Sequence, residues 1–381
     1  MRVYIASAGM TKVGDHWNRS IVDLAFYAGK KALETGIVPD YVVVGNMFSS
    51  LAASQEHLGA LIADSLGLTG KPAFKVEAAC ASGAAAFHTG YNIVKSGSAD
   101  SVLVIGVEKM RDLEPEYVSH ALAMAESAEY TQFVGASFAA LNGLIARLYM
   151  NKNDVTRDEL SSIPVIDHKN ALTAEHAQFR KEITPEIVAR SSLVAEPLRL
   201  FDCAPVGDGA AAVLIVNEEK ASEARKLTEV LASSVYTNQF SVYEREDMLK
   251  FSSTEEAFEI ALKTSGVPRS KIDFAEIHDA FSIAGALSLE AMGFSKNGMA
   301  CKDAIEGKYS RDGELPINTF GGLKARGHPV GATGVYQIAE AYLQLTGQAG
   351  ENQIEGAEYG VTHNMGGIDT TSIVHIFGSA R

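Results

Sequence analysis

The chain repeats itself, and the repeat limits what it can fold into. The segment VVVGNMFS, Val42 to Ser49, returns as AEIHDAFS, Ala275 to Ser282. The segment CASGAAAF, from Cys80, returns as HPVGATGV, from His328. Each member of the first pair is an apolar run, a turn, then Phe-Ser opening a helix. In the second pair Gly83 matches Gly331 and Ala84 matches Ala332, and each leads into a helix. The order of the surrounding elements matches too. This points to an ancient duplication with a pseudo-twofold axis, which sets Cys80 and His328 on equivalent strand–helix junctions facing one another.

Hydrophobic periodicity gives the elements. Strand-like runs at 2–8, 41–44, 73–77 and 101–107 alternate with helical patterns at 20–35, 57–66 and 82–95. Such βαβα order predicts a layered α/β fold with parallel strands. From about 111 to 202 the rhythm breaks into polar, mostly helical or irregular sequence, an inserted loop domain or lid. A buried strand at 210–216 follows, and the second half resumes with strands at 230–236, 274–277, 360–362 and 372–377 and helices at 254–265, 284–292 and 334–345. The expected halves are 1–225, including the insertion, and 226–381.

Composition removes several functions. The 381 residues are too many for one small domain, and 46% hydrophobic with 21% charged residues excludes global disorder. A formal net charge of −14 disfavours binding to nucleic acid or to an anionic membrane surface. Cys80, Cys203 and Cys301 form no disulfide framework, and neither they nor the histidines show metal-ligand spacing. No apolar run approaches membrane-spanning length, and the first residues read as a strand rather than a signal peptide. The expected location is the cytoplasm.

Four loops carry candidate chemistry. Cys80 ends a strand and precedes a helix, where the helix dipole favours a thiolate; the alternative is an inert buried thiol. His328 lies among Gly321, Gly322, Gly327, Gly331 and Gly334. It is a candidate general base for Cys80, or else a histidine satisfied by loop carbonyls. His278 follows a strand, where open α/β folds place ligands, and could donate to an oxyanion or pair with its neighbour. His363 and Asn364 precede Gly366 and Gly367, whose backbone N–H groups could hold an oxyanion. His363 can face away, because neighbours on a strand alternate in direction. Lys324 and Arg326, in the loop with Gly322, are candidate contacts for phosphates, with a solvated charged loop as the alternative. Neither a P-loop nor a dinucleotide-binding fingerprint is present.

These loops resemble those of the thiolase superfamily. CASG at Cys80, HDAF at His278, GHPVGATG at His328 and NMGG at Asn364 match its four active-site loops in order, over essentially the whole chain. Asn318 to Gly322 and DGAAAVLIV from Asp208 add to the match. HDAF in place of NEAF, with HKNA at His168 and HAQF at His176, places the chain nearer the archaeal and sterol-carrier-protein-type members. The resemblance implies a five-layer αβαβα fold and a homodimer or homotetramer. It implies acetyl-CoA C-acetyltransferase activity on coenzyme A thioesters, with no tightly bound cofactor. By position, Cys80 is acylated, His328 activates it, and His278 replaces the Asn that positions an oxyanion water. The backbone N–H groups of Cys80 and Gly366 form the other oxyanion hole. The archaeal pattern further implies association with a hydroxymethylglutaryl-CoA synthase through a small OB-fold protein, in mevalonate synthesis. One departure stands out: Asn364 occupies the place of the usual second cysteine, and Asn is no base, so either His278 or His328 takes that role or the protein is not a full thiolase. A β-ketoacyl-synthase-like condensing enzyme, or a non-catalytic or aldolase-type subunit, is the rival expectation.

Overall fold

The computed structural model describes residues 1–380. Eleven strands appear in chain order: β1 (Val3–Met10), β2 (Tyr41–Gly45), β3 (Ala73–Val76), β4 (Ser101–Glu108), β5 (Leu193–Ala195), β6 (Leu198–Arg199), β7 (Gly209–Asn217), β8 (Thr228–Thr237), β9 (Phe274–Glu276), β10 (Tyr359–Gly366) and β11 (Thr371–Ser379). Nine of them form one ladder in the order β3-β2-β4-β7-β1-β8-β11-β10-β9. It reads almost the same from either end. Within this ladder the halves pair through Tyr4–Glu229 and Ile5–Thr228.

The duplication extends to the register. Val42 faces Leu103 on β4, and Ala275 faces Val361 on β10. Leu103 in turn faces Leu214, and Val361 faces Ile376. Even β3 has a counterpart, a single bridge between Ala275 and Ile317. By this register Gly45 corresponds to His278 and Gly106 to Asn364.

Alternation along the strands builds the layers. Val102 and Val104 pack on the inner face with helices Ser82–Lys95 and Thr333–Leu345. Leu103, Ile105 and Val107 pack on the outer face with helix Ile21–Ala32. On the far side, helices Ser252–Ser265 and Ser282–Ala291 cover the second half. The result is the five-layer αβαβα order, with the two central helices between the sheets.

The expectation of parallel strands needs correction. Only β2–β3, β2–β4 and β9–β10 pair in parallel; the other pairings are antiparallel. The reason is the connections. A turn of residues 367–370 joins β10 to β11, too short for a crossover, so the chain must return antiparallel. The region 111–202 is mainly helical and includes helices Pro115–Ala123, Phe138–Asn153 and Ser162–Asn170, with the small β5–β6 hairpin. No helix among the described residues is long and apolar enough to cross a membrane.

Candidate active site

The two central helices meet at glycines. A Cβ on Gly83 would lie 2.9 Å from the Gly331 carbonyl, and one on Gly334 would lie 2.3 Å from the Ala84 nitrogen. Backbone therefore touches backbone where the two echoed turns meet. Cys80 precedes one of these helices and His328 the other. With His278 they line one small cavity of about 80 Å³. Leu122 and Phe138 of the insertion, Phe281, Ala284, Met365 and Ile368 complete a mostly apolar wall.

The two histidines carry opposite hydrogen-bonding character. The Thr333 hydroxyl donates its proton to the Pro329 carbonyl at 3.0 Å, so at 2.7 Å it accepts from His328 Nδ1–H. That fixes His328 with a bare Nε2, an acceptor. His278 Nδ1 lies 3.3 Å from the Met365 backbone N–H and 3.0 Å from Asn364 Nδ2, both donors. That fixes the proton of His278 on Nε2, a donor. Burial lowers both pKa values. His328 falls to about 3, helped by Arg326, and His278 falls well below its ordinary value, helped by His328. Both rings are neutral at pH 7.

Cys80 follows Ala79, which sits at a φ of 51°. Against expectation, its thiol is not acidified. Burial and then the Glu108 carboxylate push it up to about 12, outweighing its own backbone N–H. It rests as a thiol. Glu108 ends β4 and is buried, accepting from Asn46 Nδ2 at 2.7 Å, the Met47 N–H at 2.8 Å and the Gly331 N–H at 3.1 Å. It ties the first-half loop to the His328 loop. Its only sequence signal is a charge ending an apolar run.

Gly366 packs on the Cys80 turn, where a Cβ would meet the Ala78 carbonyl at 2.4 Å. Asn364 braces His278. His363 points away from the cavity: its Nδ1 receives the His278 N–H at 3.5 Å and its Nε2 donates to Thr254 Oγ1 at 3.0 Å. The Thr254 hydroxyl in turn donates to Asp369 at 2.7 Å.

Three candidate phosphate contacts are corrected. Lys324 is buried, and its ammonium donates to the carbonyls of Cys203 at 2.8 Å and Leu200 at 3.4 Å. Arg326 is fully buried, paired with Glu340 at 3.1 Å and with the Gly327 carbonyl at 2.8 Å. Gly322 has a φ of 55°, and a Cβ there would strike Asn318 Nδ2 at 2.4 Å. All three shape the loop from inside: both cations are buried and turned to protein oxygens, away from solvent. Thr333, which sets the His328 tautomer, carried no signal beyond its place in GHPVGATG.

Comparison with known proteins shows the family. The family description "Thiolase, N-terminal domain" matches residues 3–219, and "Thiolase C-terminal domain-like" matches residues 234–379. The chain is 42% identical to acetyl-CoA acetyltransferase of Methanothermobacter thermautotrophicus, over 98% of this chain and 99% of that one. It is 31% identical to human sterol carrier protein 2, over 96% of this chain and 70% of that one. Among solved structures, "Ltp2-ChsH2(DUF35) aldolase" superposes at a TM-score of 0.86 with 23% identity, covering 100% of this chain and 98% of that one. At that identity the likeness is one of fold.

Proposed function

The chain belongs to the thiolase family of acyltransferases, and from that premise we propose that it is an acetyl-CoA acetyltransferase. It joins two acetyl-CoA into acetoacetyl-CoA and catalyses the reverse thiolysis. The observation that carries this reading is the pair of opposite histidine tautomers on the Cys80 cavity. One offers a lone pair and the other a proton.

Acyl transfer needs both. His328 Nε2 takes the Cys80 proton as the sulfur attacks the acetyl carbonyl. The oxyanion rests on the backbone N–H groups of Cys80 and Gly366. The C–S bond to coenzyme A breaks, and its thiolate takes the proton back from His328. A second acetyl-CoA then places its carbonyl oxygen on His278 Nε2–H, which favours an enolate there. The small apolar cavity supports a short acyl group.

The substrates are coenzyme A thioesters, and the reading requires no resident cofactor. We extend it to a cytoplasmic homodimer or homotetramer. Condensation is unfavourable, so rapid product removal would pull it forward. That logic supports a place before a hydroxymethylglutaryl-CoA synthase, joined through a small OB-fold protein, in mevalonate synthesis. Mass spectrometry after incubation with acetyl-CoA tests the core claim. An acetyl adduct forms on Cys80 and disappears in Cys80→Ser, and acetoacetyl-CoA is cleaved by added coenzyme A. An undiminished adduct in Cys80→Ser would sink the assignment.

A further inference from the structure

Acetyl-CoA enters the Cys80 cavity by its thioester end, because a space of about 80 Å³ holds no more of so long a molecule. Four polar side chains line that space: Cys80, His278, His328 and Asn142. The acyl-transfer steps use the first three. We infer that Asn142, from the insertion, binds the coenzyme A arm by accepting a hydrogen bond from its first amide N–H, an inference that rests on the acetyltransferase reading above.

Asn142 is out of place for packing. It lies one turn into helix Phe138–Asn153, where asparagine is a weak helix former. Ile145, Ala146 and Tyr149 follow on the same face of that helix, and all are buried. Asn142 interrupts this stripe and is itself only 3% exposed. Its Nδ2 donates to the Phe138 carbonyl at 2.9 Å, which fixes which end of the amide is the oxygen. Oδ1 accepts no hydrogen bond from the described residues. An unfilled acceptor on a buried face is costly, and a ligand that brings a donor removes that cost.

The thioester end of the substrate offers one such donor. The acetyl group and the thioester carry no N–H or O–H. The first N–H is that of the cysteamine amide, two methylenes beyond the sulfur. Leu122 and Phe138, on the same insertion, give those methylenes an apolar wall. Cys80, His278 and His328 come from the core and act on the carbonyl and the sulfur. Asn142 therefore holds the substrate at a separate point, and both halves of the reaction use it, because each brings a coenzyme A thioester to the cavity.

Two substrates test this with the full chain: acetyl-CoA, and its analogue with an ester oxygen in place of that amide N–H. The rate of Cys80 acetylation from each is read by mass spectrometry and divided by its rate with a free thiol. The wild-type chain takes acetyl-CoA about tenfold faster than the ester, the effect of one hydrogen bond to a buried acceptor. Asn142→Leu keeps the volume and removes the acceptor, and the ratio falls to within about twofold of one. If the Leu variant fails to fold, Asn142→Ala takes its place, because alanine is the strongest helix former. Looser packing alone slows both substrates alike and leaves the ratio where it was. A wild-type ratio near one overturns the assignment whatever the variants do, and so does a ratio that survives in a folded variant. Absence of the Cys80 adduct from the wild-type chain with acetyl-CoA is instead the failure of the acetyltransferase reading.

Discussion

The rings of His278 and His328 stand almost perpendicular, at 88°, with centroids 5.3 Å apart, and line one cavity, each braced at Nδ1 and differing in whether Nε2 carries a proton. One ring is held by Thr333 and the other by the Met365 N–H and Asn364. The bracing groups differ, so each can be disturbed alone.

Thr333→Val removes the hydroxyl that holds His328 Nδ1–H. The tautomer is then free to reverse, and Nε2 loses part of its availability as a base. Acetylation of Cys80 slows about tenfold, equivalent to one hydrogen bond of ~1.4 kcal/mol. Rapid-quench mass spectrometry reads the rate, and an unchanged rate shows that Thr333 does not set the base.

Glu108→Gln removes a negative charge that opposes ionisation of Cys80. The thiol pKa falls, and alkylation by iodoacetamide accelerates at pH 8 to 9. A pH profile of alkylation measures this. A profile that stays in place leaves burial as the whole cause of the raised value.

His363 is held neutral, with its pKa lowered by burial to about 3 from an ordinary 6.5. The unfolded chain therefore binds this proton first as pH falls. The stability from the neutral ring is fully present above pH 6.5 and is lost progressively down to about pH 3. At pH 4.5 the loss is roughly 2–3 kcal/mol. His363→Gln has no such group, so the Tm gap between wild type and variant narrows from pH 7.5 to 4.5. A gap that stays constant contradicts this.

Arg326→Met breaks the buried pair with Glu340 and leaves that carboxylate without its cation. Such losses cost about 3–5 kcal/mol, so the midpoint of urea unfolding drops sharply. If Arg326 instead met a coenzyme A phosphate, KM for acetyl-CoA would rise while stability held. Denaturation and steady-state kinetics on one preparation decide between the two.

Much was legible in the sequence because its signals are local. Apolar periodicity placed helix 82–95 at its observed ends, and the echo of CASGAAAF with HPVGATGV anticipated that Cys80 and His328 meet. Glycine at 83, 331 and 334 is a property of composition, and only glycine permits that backbone contact. The motif order carried the family.

What the tertiary structure alone decided depends on partners far away in the chain. Lys324 looked like a phosphate ligand until its ammonium was seen on the Cys203 carbonyl, 121 residues earlier. The Cys80 thiol looked acidic from its place at a helix start, but burial and Glu108 reversed the sign. The His278 tautomer is set by Asn364 and Met365, at 86 and 87 residues' distance. A residue's type and spacing fix which element it joins. Its charge state and reach depend on desolvation and on hydrogen bonds that the fold brings together.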